Sequence, residues 1–151
     1  MRKLFLFITA IAASLAVLQS CEERTIKFEK LPAQAQAFIQ QYFPTSDVIL
    51  AEMEKDDGKK EYKVKLGNGT ELDFNADGEW TSVDCEFSIL PDGILLPSMS
   101  EYISTNFPEG KVYKIEKELG GYEVGITMTA GAAGATPDIE LIFDTAGNFI
   151  R

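Results

Sequence analysis

From residue 31 onward the apolar positions run first at a helical spacing and then at a strand spacing, and the chain goes through this order twice. Leu31, Ala35, Phe38, Ile39 and Tyr42 fall on one face of a helix. Tyr62, Val64 and Leu66 then alternate with Glu61, Lys63 and Lys65. After Gly67-Asn68-Gly69 the alternation resumes, with Leu72 and Phe74 set against Glu71, Asp73 and Asn75. Alternating runs on either side of an Asn-Gly turn predict a β-hairpin. In the second passage Met99, Tyr102, Ile103, Asn106 and Phe107 supply the helical face. Tyr113, Ile115 and Leu119 alternate with charges, Tyr122, Val124, Ile126 and Met128 form the next apolar face, and Leu141 and Phe143 form the last.

The punctuation repeats as well. Leu31-Pro32 opens the first helix and Phe43-Pro44 closes it; Leu96-Pro97 and Phe107-Pro108 do the same for the second. Proline is tolerated in a first turn, where its missing N–H would be unpaired anyway, and it stops a helix further on. The best match lies at the end of each passage. Leu72-Asp73-Phe74-Asn75-Ala76-Asp77-Gly78-Glu79-Trp80 parallels Leu141-Ile142-Phe143-Asp144-Thr145-Ala146-Gly147-Asn148-Phe149. The shared glycine suits a turn that needs a positive φ.

The expected fold class is α+β. Two tandem helix-plus-antiparallel-strand repeats, residues 31–90 and 95–151, join into one sheet with both helices on one face. Each half would bury only about 60% of its unfolded surface and be marginal alone. Alternation predicts that the other sheet face is polar and open to water. Residues 131–135, Gly-Ala-Ala-Gly-Ala, read as a flexible loop inserted in the second copy.

The paired Leu-Pro and Phe-Pro brackets, with the Phe-x-x-x-Gly turns at Phe74–Gly78 and Phe143–Gly147, resemble the PepSY-like family of exported proteins over about residues 26–151. The resemblance implies a fold similar to the β-lactamase inhibitor proteins, in which two helix-plus-sheet repeats present a concave sheet face to a partner. PepSY relatives in peptidase propeptides are thought to inhibit or modulate peptidases. The family has no known catalytic residues, so none carries over. Binding or inhibition follows from the resemblance only by analogy.

The N-terminus adds a location. Arg2 and Lys3 precede a mostly apolar run from Leu4 to Leu18, the layout of a secretory signal, and the run is too short for a confident membrane span of roughly 20 apolar residues. Leu18-Gln19-Ser20-Cys21 resembles the lipobox of bacterial lipoproteins, with Gln19 its looser position. The expectation is a signal peptide over 1–20, lipid on Cys21, and a tether within 21–30. The protein would then sit in the periplasm or at the cell surface, held by that lipid alone, with the outer membrane as its expected site. Glu22 and Glu23 read either as a solvated tether or as an acidic surface-export signal.

Charge and composition narrow the function. The chain has 14 basic and 24 acidic residues, and loss of Arg2 and Lys3 with the signal leaves a mature net charge of −12. Such a chain repels nucleic acid and anionic head groups. It has no histidine, which removes Ser-His-Asp and Cys-His catalysis and the commonest zinc ligand. With Cys21 lipidated, Cys85 is the sole free thiol. It is flanked by Asp84 and Glu86 and reads as a small buried apolar residue rather than a nucleophile. The domain is therefore expected to be held by its core, without disulfides.

The segment Asp73-Phe74-Asn75-Ala76-Asp77-Gly78 matches the opening of an EF-hand calcium loop, with Glu79, Thr81 and Asp84 at later ligand positions. Against this, position twelve is Asp84 rather than glutamate, the flanks read as strands, and the second copy has Ile142 and Ala146 where Asp73 and Asp77 stand. Gly131–Gly134 lacks the Lys-Ser/Thr of a phosphate loop, and nothing in the sequence brings two carboxylates into an apolar pocket. The polar sheet face is the better candidate site. It carries Glu61, Lys63, Lys65, Glu71 and Asp73 from the first copy and Lys114, Glu116, Glu123, Thr127 and Thr129 from the second. Tyr62 and Trp80 read as core residues, with binding anchors as the alternative. The leading expectation is a non-enzymatic cell-envelope module that binds a protein or peptide, with inhibition as one form of that binding. The second is a calcium-responsive periplasmic protein using Asp73, Asn75, Asp77, Glu79 and Asp84. The third is a structural envelope protein. No other cofactor is expected.

Overall fold

The computed structural model of the chain describes residues 22–56, 58–128 and 139–151. The expected signal peptide, Cys21, Thr129 and the 131–135 loop lie outside the described residues. The elements are β1 (Glu22–Thr25), a 3-10 turn (Phe28–Lys30), α1 (Ala33–Tyr42), β2 (Val48–Asp56), β3 (Lys59–Leu66), β4 (Glu71–Phe74), β5 (Trp80–Asp84), α2 (Pro97–Asn106), β6 (Lys111–Glu118), β7 (Gly121–Thr127) and β8 (Ile139–Asp144). All eight strands lie in one sheet in sequence order, each pair antiparallel. Among the described residues no helix is long and apolar enough to cross a membrane.

The helices form where the proline brackets place them. Pro32 stands at the N-cap of α1 and Pro97 is the first residue of α2. Each helix ends at a phenylalanine whose N–H closes the last turn, Phe43 on the Ile39 carbonyl and Phe107 on the Ile103 carbonyl, one residue before the second proline. Ala35 and Ile39 of α1, with Met99 and Ile103 of α2, are buried in the same core as the inner face of the sheet.

That inner face is set by register. Ala51, Val64, Leu72, Val83, Ile115, Val124 and Leu141 lie side by side across seven strands, and all are buried. Because side chains alternate along a strand, this apolar row commits the next residue of each strand to the opposite face. The α1 ring of Phe38 meets Phe74 edge-on at 5.8 Å, and Tyr102 of α2 meets Phe143 at 5.8 Å, so both helices cover one face. Fully burying such large side chains stabilises by about 1.5–3 kcal/mol each.

Two tight turns seat the helices. In the β4–β5 turn Asn75 Oδ1 accepts the backbone N–H groups of Asp77 and Glu79. After β8, Asp144 Oδ1 accepts those of Ala146 and Asn148. Gly78 and Gly147 have φ of 86° and 81°. A methyl group on Gly78 would meet Pro32 and Ala35 at the start of α1, and one on Gly147 would meet Leu96 and Ser98 at the start of α2.

The strands and their ends depart from the sequence reading at several points. Residues 22–25, expected in a tether, form edge strand β1 on β2. Strand β2 was not expected, because Val48-Ile49-Leu50 does not alternate; a register shift between Val48 and Leu50 interrupts the period. Leu119 belongs to no apolar face: it caps the β6–β7 hairpin, fully exposed. Met128 lies beyond the end of β7 and is largely exposed.

Candidate functional site

The face away from the helices carries two central rows. In one, Glu52, Lys63, Asp73, Ser82, Glu116, Glu123 and Ile142 follow one another from β2 to β8; in the next come Leu50, Lys65, Glu71, Asp84, Lys114, Gly125 and Glu140. Of the ten residues expected on this face, Lys63, Lys65, Glu71, Asp73, Lys114, Glu116 and Glu123 stand in these rows. Glu61 lies one step outside them opposite Glu54. Thr127, opposite Lys111, extends the face and is buried. Glu52, Glu54, Asp84, Glu140 and Leu50 were missed. Glu52, Glu54 and Leu50 depend on the unforeseen β2, Asp84 was read only as a calcium ligand, and no pattern on its own flagged Glu140.

The lysines are engaged within the face. Lys63 Nζ lies 3.0 Å from Glu54, Lys65 Nζ 2.6 Å from Glu71, and Lys114 Nζ 3.1 Å from Glu116 and 3.8 Å from Glu123. The Glu54 hydrogen bond and charge hold the Lys63 ammonium above its usual range against partial burial. The Glu71 hydrogen bond and charge do the same for Lys65. Burial pulls Lys114 down, but the bond to Glu116 and the charges of Glu116, Glu123 and Asp84 outweigh it and leave it raised. Carboxylates outnumber lysines in the rows, and the crowding shows. Burial raises Asp73; Lys63 opposes it, while Glu116, Glu71 and Glu54 add to it. Burial and neighbouring Glu23 and Glu54 raise Glu52. Leu50, Glu52, Lys63, Lys65, Glu71 and Asp73 enclose a shallow depression of about 190 Å³ together with Val64.

An aromatic lies on this face as well. A register shift between Val112 and Lys114 turns Tyr113 outward over β7. A side chain at Gly125 would stand 2.9 Å from the Tyr113 ring, so the bare strand there is what admits the aromatic. The sequence reading had Tyr113 on the apolar side; the bulge reverses its direction. Tyr62 is core, as read. Trp80 is half-buried on the helical side, between Phe38 and Tyr122, with Lys117 Nζ 4.3 Å from its ring centre.

The residues of the calcium reading do not share one point. Asn75, Asp77 and Glu79 belong to the β4–β5 turn, where Asn75 is occupied by backbone N–H groups and by Glu79. Asp73 points onto the open face beside Lys63. Asp84 stands opposite Glu71, about 13 Å along the strands from the turn at roughly 3.3 Å per residue, and accepts the Glu86 N–H. As one site the five do not fit a calcium ion. Among the described residues no group of three or more His, Cys, Asp or Glu side chains is placed to share a metal. Cys85 is buried, and burial, with the Asp84 charge adding and Thr70 opposing, pushes its thiol up to about 11.

One antiparallel sheet, with two helices against one face and charged rows across the other, makes this an α+β protein with one sheet face left uncovered by its helices. Its sequence matches the family described as "Putative beta-lactamase-inhibitor-like, PepSY-like" over residues 17–73 and 60–151, and the chain belongs to this PepSY-like family. Among solved structures it is similar to a "putative periplasmic protein" of the DUF2874 family from Bacteroides vulgatus (35% identity, 86% of this chain and 95% of that one, TM-score 0.76). It is also similar to a "putative calcium-regulated periplasmic protein" from Bacteroides thetaiotaomicron (36% identity, 85% and 94%, TM-score 0.76). A "putative periplasmic protein of unknown function" from Bacteroides vulgatus is similar too (30% identity, 86% and 98%, TM-score 0.76). No curated protein matches the sequence.

Proposed function

We propose that the chain is a non-enzymatic binding module of the cell envelope that takes a protein or peptide on the open face of its sheet and so inhibits or modulates it. The observation that carries this reading is the face itself: ordered charged rows and an outward Tyr113 on the side that the helices leave uncovered. Ordered charges orient a partner and exclude wrong ones. The apolar segment before Cys21 and the periplasmic description of three relatives support export. With Cys21 lipidated, β1 would begin one residue after the anchor and hold that end of the sheet at the membrane, the outer membrane in this reading. We read the halves as two copies of one unit, because the Asn75 and Asp144 turns make the same pair of backbone hydrogen bonds and each seats a glycine on its own helix.

The test is retention of envelope proteins by immobilised residues 22–151, compared with Lys63→Glu/Lys65→Glu and with a control change on α2. A partner held by the native domain and the α2 control but lost from the face variant is the expected result. Retention that ignores the face variant would overturn the assignment of the site, and turnover of a substrate by the pure domain would overturn its class. The calcium reading draws its support from the description of the Bacteroides thetaiotaomicron relative. It needs ligands other than the 73–84 set acting as one site, and an unchanged melting temperature in millimolar calcium against chelator would end it.

A further inference from the structure

If the open face is the binding surface, as proposed above, its charge decides what can bind there. Each lysine of the two central rows already has a carboxylate partner in the face. Glu52, Asp73 and Asp84 take part in none of these bridges. A partner with an acidic surface would be repelled, because like charges brought together at an interface are unfavourable. Ammonium or guanidinium groups would instead meet a face on which carboxylates outnumber lysines.

The face also has an apolar end. Strand β1 begins level with Lys55, near the β2–β3 hairpin, whereas β2 begins, β3 ends and β5 ends at the opposite edge. At that opposite edge Ile49 is 62% exposed, Phe87 63% and Leu50 37%. Ile49 and Phe87 flank the Gly67–Gly69 turn, and Leu50 follows Ile49 along β2. A methyl on Gly67 would lie 3.8 Å from Ile49, and one on Gly69 would lie 3.0 Å from the Phe87 ring. Leu50 sits opposite Lys65. Phe87 is held outward by local structure: the Ser88 N–H closes a turn on the Cys85 carbonyl at 2.6 Å, and Asp84 accepts the Glu86 N–H. Glu86 itself takes a positive φ of 26°. Single exposed apolar residues are ordinary, but an aromatic and two aliphatic side chains grouped beside charged rows have the make-up of an interface anchor with its polar rim.

We propose that the Gly67–Gly69 end of the open face docks a protein segment carrying Lys or Arg side chains next to aliphatic or aromatic ones. Phe87, Ile49 and Leu50 form the apolar anchor, and the excess of carboxylates over lysines on the face supplies the charge complement. This end is the one farther from the start of β1 at Glu22, so a lipid on the preceding cysteine would leave it facing away from the membrane.

The probe is a pair of short unstructured peptides of alternating Lys and Leu or alternating Glu and Leu, titrated into isotopically labelled residues 22–151 and followed by backbone amide NMR. The expected result is saturable binding of the Lys peptide only, with shifts on β2–β5 and around Phe87, weakened about tenfold by Phe87→Ser. Glu52→Lys should weaken it about as much, while Glu101→Lys on α2, which changes the net charge equally, should leave it within about twofold. Added salt should weaken it further. Shifts confined to the helical side, or equal losses from Glu52→Lys and Glu101→Lys, would overturn the proposal, as would no binding up to about 1 mM. Equal binding of both peptides on the open face would overturn the charge preference while leaving the face as the site, which separates this failure from failure of the functional reading.

Discussion

Replacing Gly78 by alanine, with Gly120→Ala as reference, tests whether the β4–β5 turn is seated on α1. Both glycines have positive φ, 86° and 106°. Both substitutions therefore carry the left-handed penalty of an L-residue, roughly 1–2 kcal/mol. They differ in what the new methyl meets. At Gly120 there is nothing within 4 Å, whereas at Gly78 it would lie 2.6 Å from Pro32 Cβ and 3.0 Å from the Ala35 nitrogen. These are a proline ring and helix backbone, neither of which can swing aside, so overpacking adds about 1–3 kcal/mol. Gly78→Ala should thus lose roughly 2–5 kcal/mol against 1–2 for Gly120→Ala, a further drop in Tm of roughly 3–12 °C in a domain of this size. Urea titration followed by the fluorescence of Trp80, the only tryptophan, gives both numbers. Equal losses within about 0.5 kcal/mol would show that the turn does not rest on the helix.

Three further outcomes follow from the titrating groups. The Asn148 amide, with backbone N–H groups, holds the Asp144 carboxyl below its ordinary value. Its contribution is present above the ordinary carboxylate range and is lost as pH falls through the depressed value. Asp144→Asn, which keeps the acceptor that Asn75 supplies in the first turn, should flatten that acid limb in a series of melts from neutral to acid pH; an unchanged limb would count against it. Asp73 is raised, mainly by burial, so its sign is opposite. Stability is full below the ordinary carboxylate range and declines as pH rises through the raised value. Asp73→Asn should therefore raise Tm at pH 7, with the gain vanishing in acid; a loss at pH 7 would show that attraction to Lys63 dominates. The Cys85 thiol, buried and pushed up to about 11, should resist thiol reagents at pH 8 until the domain unfolds. Rapid labelling of the native protein would place the thiol at the surface.

Much of the framework was legible locally. Proline brackets marked both helices to within a residue or two, because a missing N–H and a fixed φ act wherever the residue stands. The hairpin at Gly67–Gly69 and the turns at Asn75 and Asp144 were equally readable, since their hydrogen bonds close within four residues. Lys63, Lys65, Glu71 and Asp73 landed in two adjoining rows because strict alternation in Lys59–Leu66 and Glu71–Phe74 commits each side chain to a face. The calcium spacing was also legible, and it misled. Positions 73–84 are close in sequence, but a hairpin spreads them along two strands, whereas a calcium loop curls them around a point.

By itself the sequence determined which segments become helix, hairpin and turn, and which faces of the regular strands are wet, because those depend on neighbours a few residues away. Only the tertiary structure decided the rest. Strand β1 has no pattern of its own in Glu22-Glu23-Arg24-Thr25 and exists because β2 offers it an edge. Bulges at Val48–Leu50 and Val112–Lys114 broke the period that would have revealed β2 and turned Tyr113 outward. The joining of β5 to β6 brought Asp84 beside Lys114, thirty residues apart in the chain, and so completed the charged rows across both halves. Pairing of that kind is settled by which surfaces bury one another, and no short stretch of sequence records it.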